Sequence, residues 1–155
     1  MIWFAYIGAA LLTFFAMEMI TWCTHKYIMH GLMWYFHRDH HQPEEKLFER
    51  NDIFFLIFAI PSWLCIMLGL MYQYYFAVCI GAGIAMYGAA YFLVHDVFIH
   101  QRFKWFRNSN NAYFRALRKA HKMHHKHLGK EDGECFGMLW VPRRYFTEAK
   151  KSGTI

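Results

Sequence analysis

Ten of the eleven histidines in this sequence fall into a pattern that occurs twice. His25 and His30 are spaced H-x4-H, and His37, His40 and His41 follow as H-x2-H-H. His95 and His100 repeat the first spacing, and His121, His124 and His125 repeat the second. His127 lies outside the pattern. A neutral imidazole binds metal through either ring nitrogen, and it suits zinc, copper, iron and nickel alike, so ligand type alone does not select the ion. Helix positions i, i+3 and i+4 share a face, so His121, His124 and His125 are expected to present three rings in one direction. Positions i and i+5 lie ~140° apart on a straight α-helix, which suits reaching two neighbouring ions better than clamping one. The spacing therefore predicts a dinuclear site, with four or five imidazoles per ion and room for an exchangeable position. The second ring N–H of each ligand needs an acceptor, and Asp39, Asp96, Glu44, Glu45, Glu49 and Asp52 are the carboxylates close by in sequence.

The elements that must position these rings are membrane spans. The chain has 155 residues, 57% of them hydrophobic, and the apolar residues are clustered. Residues 2 to 22 carry one charge, Glu18, while 53 to 72 and 75 to 94 carry none. At ~1.5 Å per residue each is long enough to cross a hydrocarbon core of ~30 Å. The second and third, joined through Gln73 and Tyr74, are expected to form a tight hairpin, and Pro61 is tolerable inside it. Gly81, Ala85 and Ala89 recur every fourth residue, predicting one small-residue face for close helix contact. The expected fold is an all-α integral membrane protein with three transmembrane helices, as a single domain over 1 to 155.

All 17 lysines and arginines fall within 26 to 50 or after 101. Three spans put both basic stretches on one side, which the positive-inside rule makes cytoplasmic. The first H-x4-H sits where span one ends, the second where span three ends, and both H-x2-H-H clusters follow on that side. All ten rings can then converge near the membrane surface. Glu18, two turns before His25 within the span, is a functional candidate by its depth alone, and an interhelical hydrogen bond is the alternative.

The net charge of +6 is thus a topology signal, with membrane lipid as a secondary partner. No recognition motif accompanies it, and nucleic acid is not an expected partner. The N-terminus lacks a basic region and a small-residue cleavage pattern, so a retained span is expected there. Cys23, Cys65, Cys79 and Cys135 have neither disulfide-framework nor zinc-ribbon spacing. Residues 113 to 125 read as a helix, "GKEDGE" as a turn, "CFGMLWVP" as a segment dipping back to the membrane surface, and 149 to 155 as a disordered tail.

"HKYIMHG", "HRDHH", "YFLVHDVFIHQRF" and "AHKMHH" resemble the four histidine boxes of the bacterial β-carotene hydroxylases, in the fatty acid hydroxylase and sterol desaturase superfamily of membrane di-iron enzymes. "FERNDIFFLIFA" and "GKEDGECFGMLWVP" extend the resemblance over essentially the whole chain. The resemblance implies a di-iron monooxygenase of the bacterial inner membrane, with its histidine site on the cytoplasmic side. It implies hydroxylation of β-ionone rings at carbon 3, from β-carotene through β-cryptoxanthin to zeaxanthin, with O2 as cosubstrate. The ligands it implies are His25, His30, His37, His40, His41, His95, His100, His121, His124 and His125, with no further catalytic residue; His127 matches no box. Zinc can occupy such a site but is redox-inert. Since no flavin or nicotinamide motif is present, electrons are expected from an external ferredoxin-type donor with its reductase, and the carotenoid substrate is expected from the bilayer. The family's usual fourth span has no clear counterpart, which leaves a membrane-associated helix over 103 to 120 open. A ketolase, a sterol or fatty-acid hydroxylase and a desaturase are alternatives on the same scaffold. A membrane metal transporter or store is the alternative of a different class, although transport sites usually lie near the bilayer midplane.

Overall fold

A computed structural model describes residues 1–42, 48–103, 105 and 111–151. Helix α1, Ile2–Cys23, continues directly into a π-helical segment, Thr24–Leu32, and α2, Trp34–His41, follows after Gly31 leaves helical geometry (φ −115°, ψ −107°). A 3₁₀ turn, Arg50–Asp52, is closed by a capping box between Glu49 and Asp52 and leads into α3, Ile53–Met71. Helix α4, Tyr75–Phe92, runs into a second π-helical segment, Leu93–Ile99. Then come α5, Ala112–Lys126, and α6, Arg143–Lys151.

The helices Ile2–Leu32, Arg50–Met71 and Tyr75–Ile99 are each long and apolar enough to cross a membrane. Their apolar side chains point outward: Trp3, Phe4, Leu12, Phe15, Phe55 and Trp63 are all exposed, as a lipid solvent permits and water does not. Among the described residues there is no fourth span. Of the described residues between 103 and 120, those from 112 on belong to α5, which buries Ala116, Leu117, Ala120, His121 and His124 and turns Lys119, Lys122 and Lys126 outward. Its start is capped by the Asn111 side chain, which accepts from the Tyr113 N–H at 2.9 Å. Helix α6 packs on it through Ala116, Ala120, Tyr145 and Ala149. Residues 149 to 151 are therefore helical, and Ala149 is buried; 152 to 155 lie outside the described residues.

Helix α4 is sandwiched between α1 and α3. A Cβ on Gly81 would lie 2.6 Å from the Ser62 carbonyl oxygen of α3, and one on Gly83 would lie 2.5 Å from the Ala10 carbonyl oxygen of α1. The expected single stripe of Gly81, Ala85 and Ala89 does not form: Ala85 and Ala89 are exposed. A helix with neighbours on two sides needs its small residues on two faces. Ser62 adds an interhelical hydrogen bond, its hydroxyl donating to the Gly81 carbonyl at 2.7 Å. Pro61 sits within a continuous α3.

Candidate metal centre

The two π-helical segments bring the candidate ligands to the ends of the first and third membrane helices. In an α-helix His25 and His30 would diverge; with i→i+5 hydrogen bonding they fall on one face. His95 and His100 are aligned the same way. The four chain segments then place their imidazoles in two groups. His25, His30, His37, His41 and His124 form one, and His40, His95, His100 and His121 the other, with the ligand atoms of each group within 4.8 Å of one another. His125 adjoins the second group, its Nε2 lying 2.8 Å from that of His121.

This reverses the expectation from spacing. Each H-x4-H pair serves a single group, because the helix is locally π and not straight α. The H-x2-H-H clusters are what span the two groups: His37 and His41 face one while His40 faces the other, and His124 parts from His121 and His125. Three rings on one broad helix face do not point at one spot. The rings at i and i+3 diverge enough to reach adjacent centres, with His37 and His40 ring centroids 5.5 Å apart.

Hydrogen bonds fix which nitrogen faces inward. Nδ1 of His25, His30, His41 and His124 lies against the carbonyl oxygens of Phe136 (3.0 Å), Lys130 (3.2 Å), His127 (3.0 Å) and Glu134 (2.7 Å). Nδ1 of His37 faces Asn51 Oδ1 at 2.7 Å, that of His40 faces Glu49 Oε2 at 2.9 Å, and that of His95 faces Asp96 Oδ2 at 3.1 Å. Each such ring donates from Nδ1 and presents the Nε2 lone pair to the interior. Those lone pairs meet one another: His25 and His37 are 3.1 Å apart at Nε2, His30 and His124 3.2 Å, and His40 and His95 3.0 Å. Nε2 of His41 is buried with no hydrogen-bond partner.

Facing lone pairs repel, and a buried acceptor without a donor is costly. A cation among them removes both penalties, and separations near 3 Å are those of adjacent nitrogen ligands on an ion with bonds of about 2.0–2.1 Å. The residues therefore fit a pair of metal ions. Burial favours the neutral form of several of these rings. It lowers His37 and His100 to about 3, His41 to about 4 and His124 to about 2, with neighbouring imidazoles adding to the effect and the Asn51 and His127 oxygens opposing it for His37 and His41. His40, His121 and His125 are pushed down by the same burial.

Of the six carboxylates near in sequence, Glu49 and Asp96 meet ligand rings directly. Asp39 instead accepts from the Arg50 backbone N–H at 2.6 Å, Asp52 closes the capping box, and Glu44 and Glu45 lie outside the described residues. Arg102 ties the set together, its guanidinium 3.1 Å from Glu49, 3.0 Å from Asp52 and 3.1 Å from Asp96. Burial raises the Glu49 carboxyl while the Arg102 charge opposes the rise. Arg102, Asn51 and the carbonyls of the 127 to 136 segment carry no signal in the sequence, because a backbone oxygen has no residue type and Arg102 stands among many basic residues.

His127 contributes its carbonyl to His41, not its ring to either group. Glu18 makes its hydrogen bonds to groups other than the histidines. Its Oε1 accepts from three successive backbone N–H groups, of Met138 (3.0 Å), Leu139 (2.9 Å) and Trp140 (2.9 Å), and its Oε2 accepts from the Tyr87 hydroxyl at 2.6 Å. The segment expected to dip back to the membrane surface thus docks on the first span.

Comparison with known proteins shows what the chain is similar to. The fatty acid hydroxylase family pattern matches residues 10–142. The chain is 40% identical to a β-carotene hydroxylase of Pantoea ananas over 92% of its own length and 81% of that protein. It is 38% identical to a β-carotene hydroxylase of Pseudescherichia vulneris, over 84% of its length and 74% of that protein. A chloroplastic β-carotene 3-hydroxylase of Gentiana lutea is 34% identical over 88% of the chain, which spans 42% of that longer protein. No solved structure matches the chain.

Proposed function

The chain belongs to the fatty acid hydroxylase family and is a hydroxylating enzyme, and on that premise we propose that it hydroxylates β-ionone rings at carbon 3 with O2, using two irons held by the ten box histidines. The steps are β-carotene to β-cryptoxanthin to zeaxanthin. The observation that carries the reading is the convergence of buried Nε2 lone pairs in two adjacent groups, joined to the activities for which the relatives are named. Iron, when bound with O2 and reducing equivalents, supplies the oxidant that an unactivated C–H bond requires and that side-chain acids and bases cannot supply.

The chain's own residues do the rest. The ten ligands are His25, His30, His37, His40, His41, His95, His100, His121, His124 and His125. The Nδ1 partners of His25, His30, His37, His40, His41, His95 and His124 hold those rings in one tautomer and orientation, a factor worth about 10–100-fold in metal affinity or activity. The exposed apolar faces of α1, α3 and α4 give a carotenoid, as apolar as the lipid, a lateral approach from the bilayer. The basic residues flanking the site support a cytoplasmic orientation in the inner membrane, where an acidic ferredoxin-type donor delivers electrons.

Expression in a host that accumulates β-carotene, followed by pigment analysis, tests the proposal. Zeaxanthin and its mono-hydroxylated precursor are expected, and His40→Ala and His124→Ala should each abolish both. Unchanged β-carotene in cells containing the iron-loaded enzyme would overturn the substrate assignment, and keto products would reassign the reaction. Wild-type activity in the two histidine variants would overturn the ligand assignment.

A further inference from the structure

The two histidine groups differ in what orients them. Four of the five rings in the first group, His25, His30, His41 and His124, donate to carbonyls of one stretch of chain, residues 127 to 136, which links α5 to α6. Rings of the second group lean on carboxylates from elsewhere, His40 on Glu49 and His95 on Asp96. Among the described residues, the linker's carbonyls strap rings of the first group and none of the second.

A strap of irregular backbone orients ligands only as well as it is itself held. Its turns include positive-φ residues, Asp132 (57°) and Cys135 (59°), so regular secondary structure does not stiffen it. Its next residues are held by Glu18. Three consecutive N–H groups at 138 to 140 converge on Glu18 Oε1, and the Tyr87 hydroxyl fixes Oε2. Gly137 allows the approach, since a Cβ there would lie 3.0 Å from Glu18 Oε1. Thr21 Oγ1, 2.7 Å from the Tyr87 hydroxyl, completes the anchor. Hydrogen bonds to an ionised acceptor are stronger than neutral ones, and a low-dielectric surrounding strengthens them further.

We propose that Glu18 is a positioning residue for one of the two metal sites: it clamps the strap whose carbonyls orient His25, His30, His41 and His124, and leaves the His40, His95, His100 and His121 site unaffected. An intramembrane carboxylate thus acts on the centre through backbone, without touching a ligand. This rests on the two-ion reading above, and its test separates the two ideas.

The full-length protein in detergent is stripped of metal and titrated with Co2+, whose visible bands report coordination. Wild type should take up two ions; one ion or none would defeat the two-ion reading itself. Glu18→Gln is nearly isosteric and keeps an oxygen for the N–H groups but loses the charge. It should weaken one Co2+ about tenfold and perturb its bands, within the range for lost orienting partners, while the other binds within about twofold of wild type. Asp96→Ala should weaken the other ion, and the double variant should weaken both. The half-buried Cys135 on the strap should react faster with a maleimide in Glu18→Gln. Tyr87→Phe keeps the carboxylate, and should shift the same ion and the same thiol in the same direction by less; it decides the matter if Glu18→Gln does not fold. Two ions bound as in wild type, or both weakened equally, would overturn the proposal.

Discussion

His127 and His125 are two residues apart in the same basic stretch, yet their rings have different fates. His125 turns its Nε2 to within 2.8 Å of that of His121, while His127 stands at the end of α5, where its carbonyl oxygen accepts from His41 Nδ1–H at 3.0 Å. A carbonyl survives any side-chain substitution. His127→Ala is therefore expected to retain the full metal complement by elemental analysis and to form zeaxanthin within about twofold of wild type, whereas removing an orienting partner costs about 10–100-fold. The box histidines were legible because imidazole type and spacing are written in the sequence. Their orienting partners were only half legible: Glu49 and Asp96 are carboxylates within a few positions of a ligand, but the strap oxygens belong to whatever residue the backbone delivers.

The π-helical segments show what an element adds to a motif. An H-x4-H pair on a straight α-helix points two ways, and in this protein one extra residue per hydrogen-bonded turn aligns it, a local distortion frequent at functional sites. Nothing in the residue types between His25 and His30 announces that change of pitch; it is fixed by the rings converging with those of α2 and α5. Helix packing is equally positional. Gly81→Ala should destabilise the α3–α4 contact by about 1–3 kcal/mol, the usual cost of overpacking, because the new Cβ would meet the Ser62 carbonyl oxygen at 2.6 Å. Gly88→Ala, with no atom within 4 Å of its Cβ, should be neutral or stabilising by about 0.5–1 kcal/mol. Thermal unfolding in detergent compares the two directly.

At the scale of the molecule, the two histidine groups join the membrane hairpin to the segments outside it. Rings from both π-helical segments, α2 and α5 meet there, and without cations their lone pairs oppose one another. A ligand that binds only the folded state stabilises it by mass action. Chelation should thus lower the unfolding temperature, and Fe2+ or Zn2+ should restore it alike, while only iron restores turnover. The span count makes a second prediction. On the proposed orientation, with three membrane helices, a reporter fused after Ile155 should read as cytoplasmic and one placed before Met1 as external.

The sequence by itself determined the three spans, the convergence of ten histidines at one membrane face and the family, because hydrophobic runs, charge asymmetry and ligand spacing are local or additive properties of the chain. Tertiary structure alone decided how those histidines divide. His25 joins His30 in one group because the helix is π there, His37 parts from His40 because rings three residues apart on one broad face of α2 diverge into adjacent groups, and Glu18 reaches the strap across 120 residues of chain. Each of these depends on the path of the backbone in three dimensions, and spacing along the chain does not encode that path.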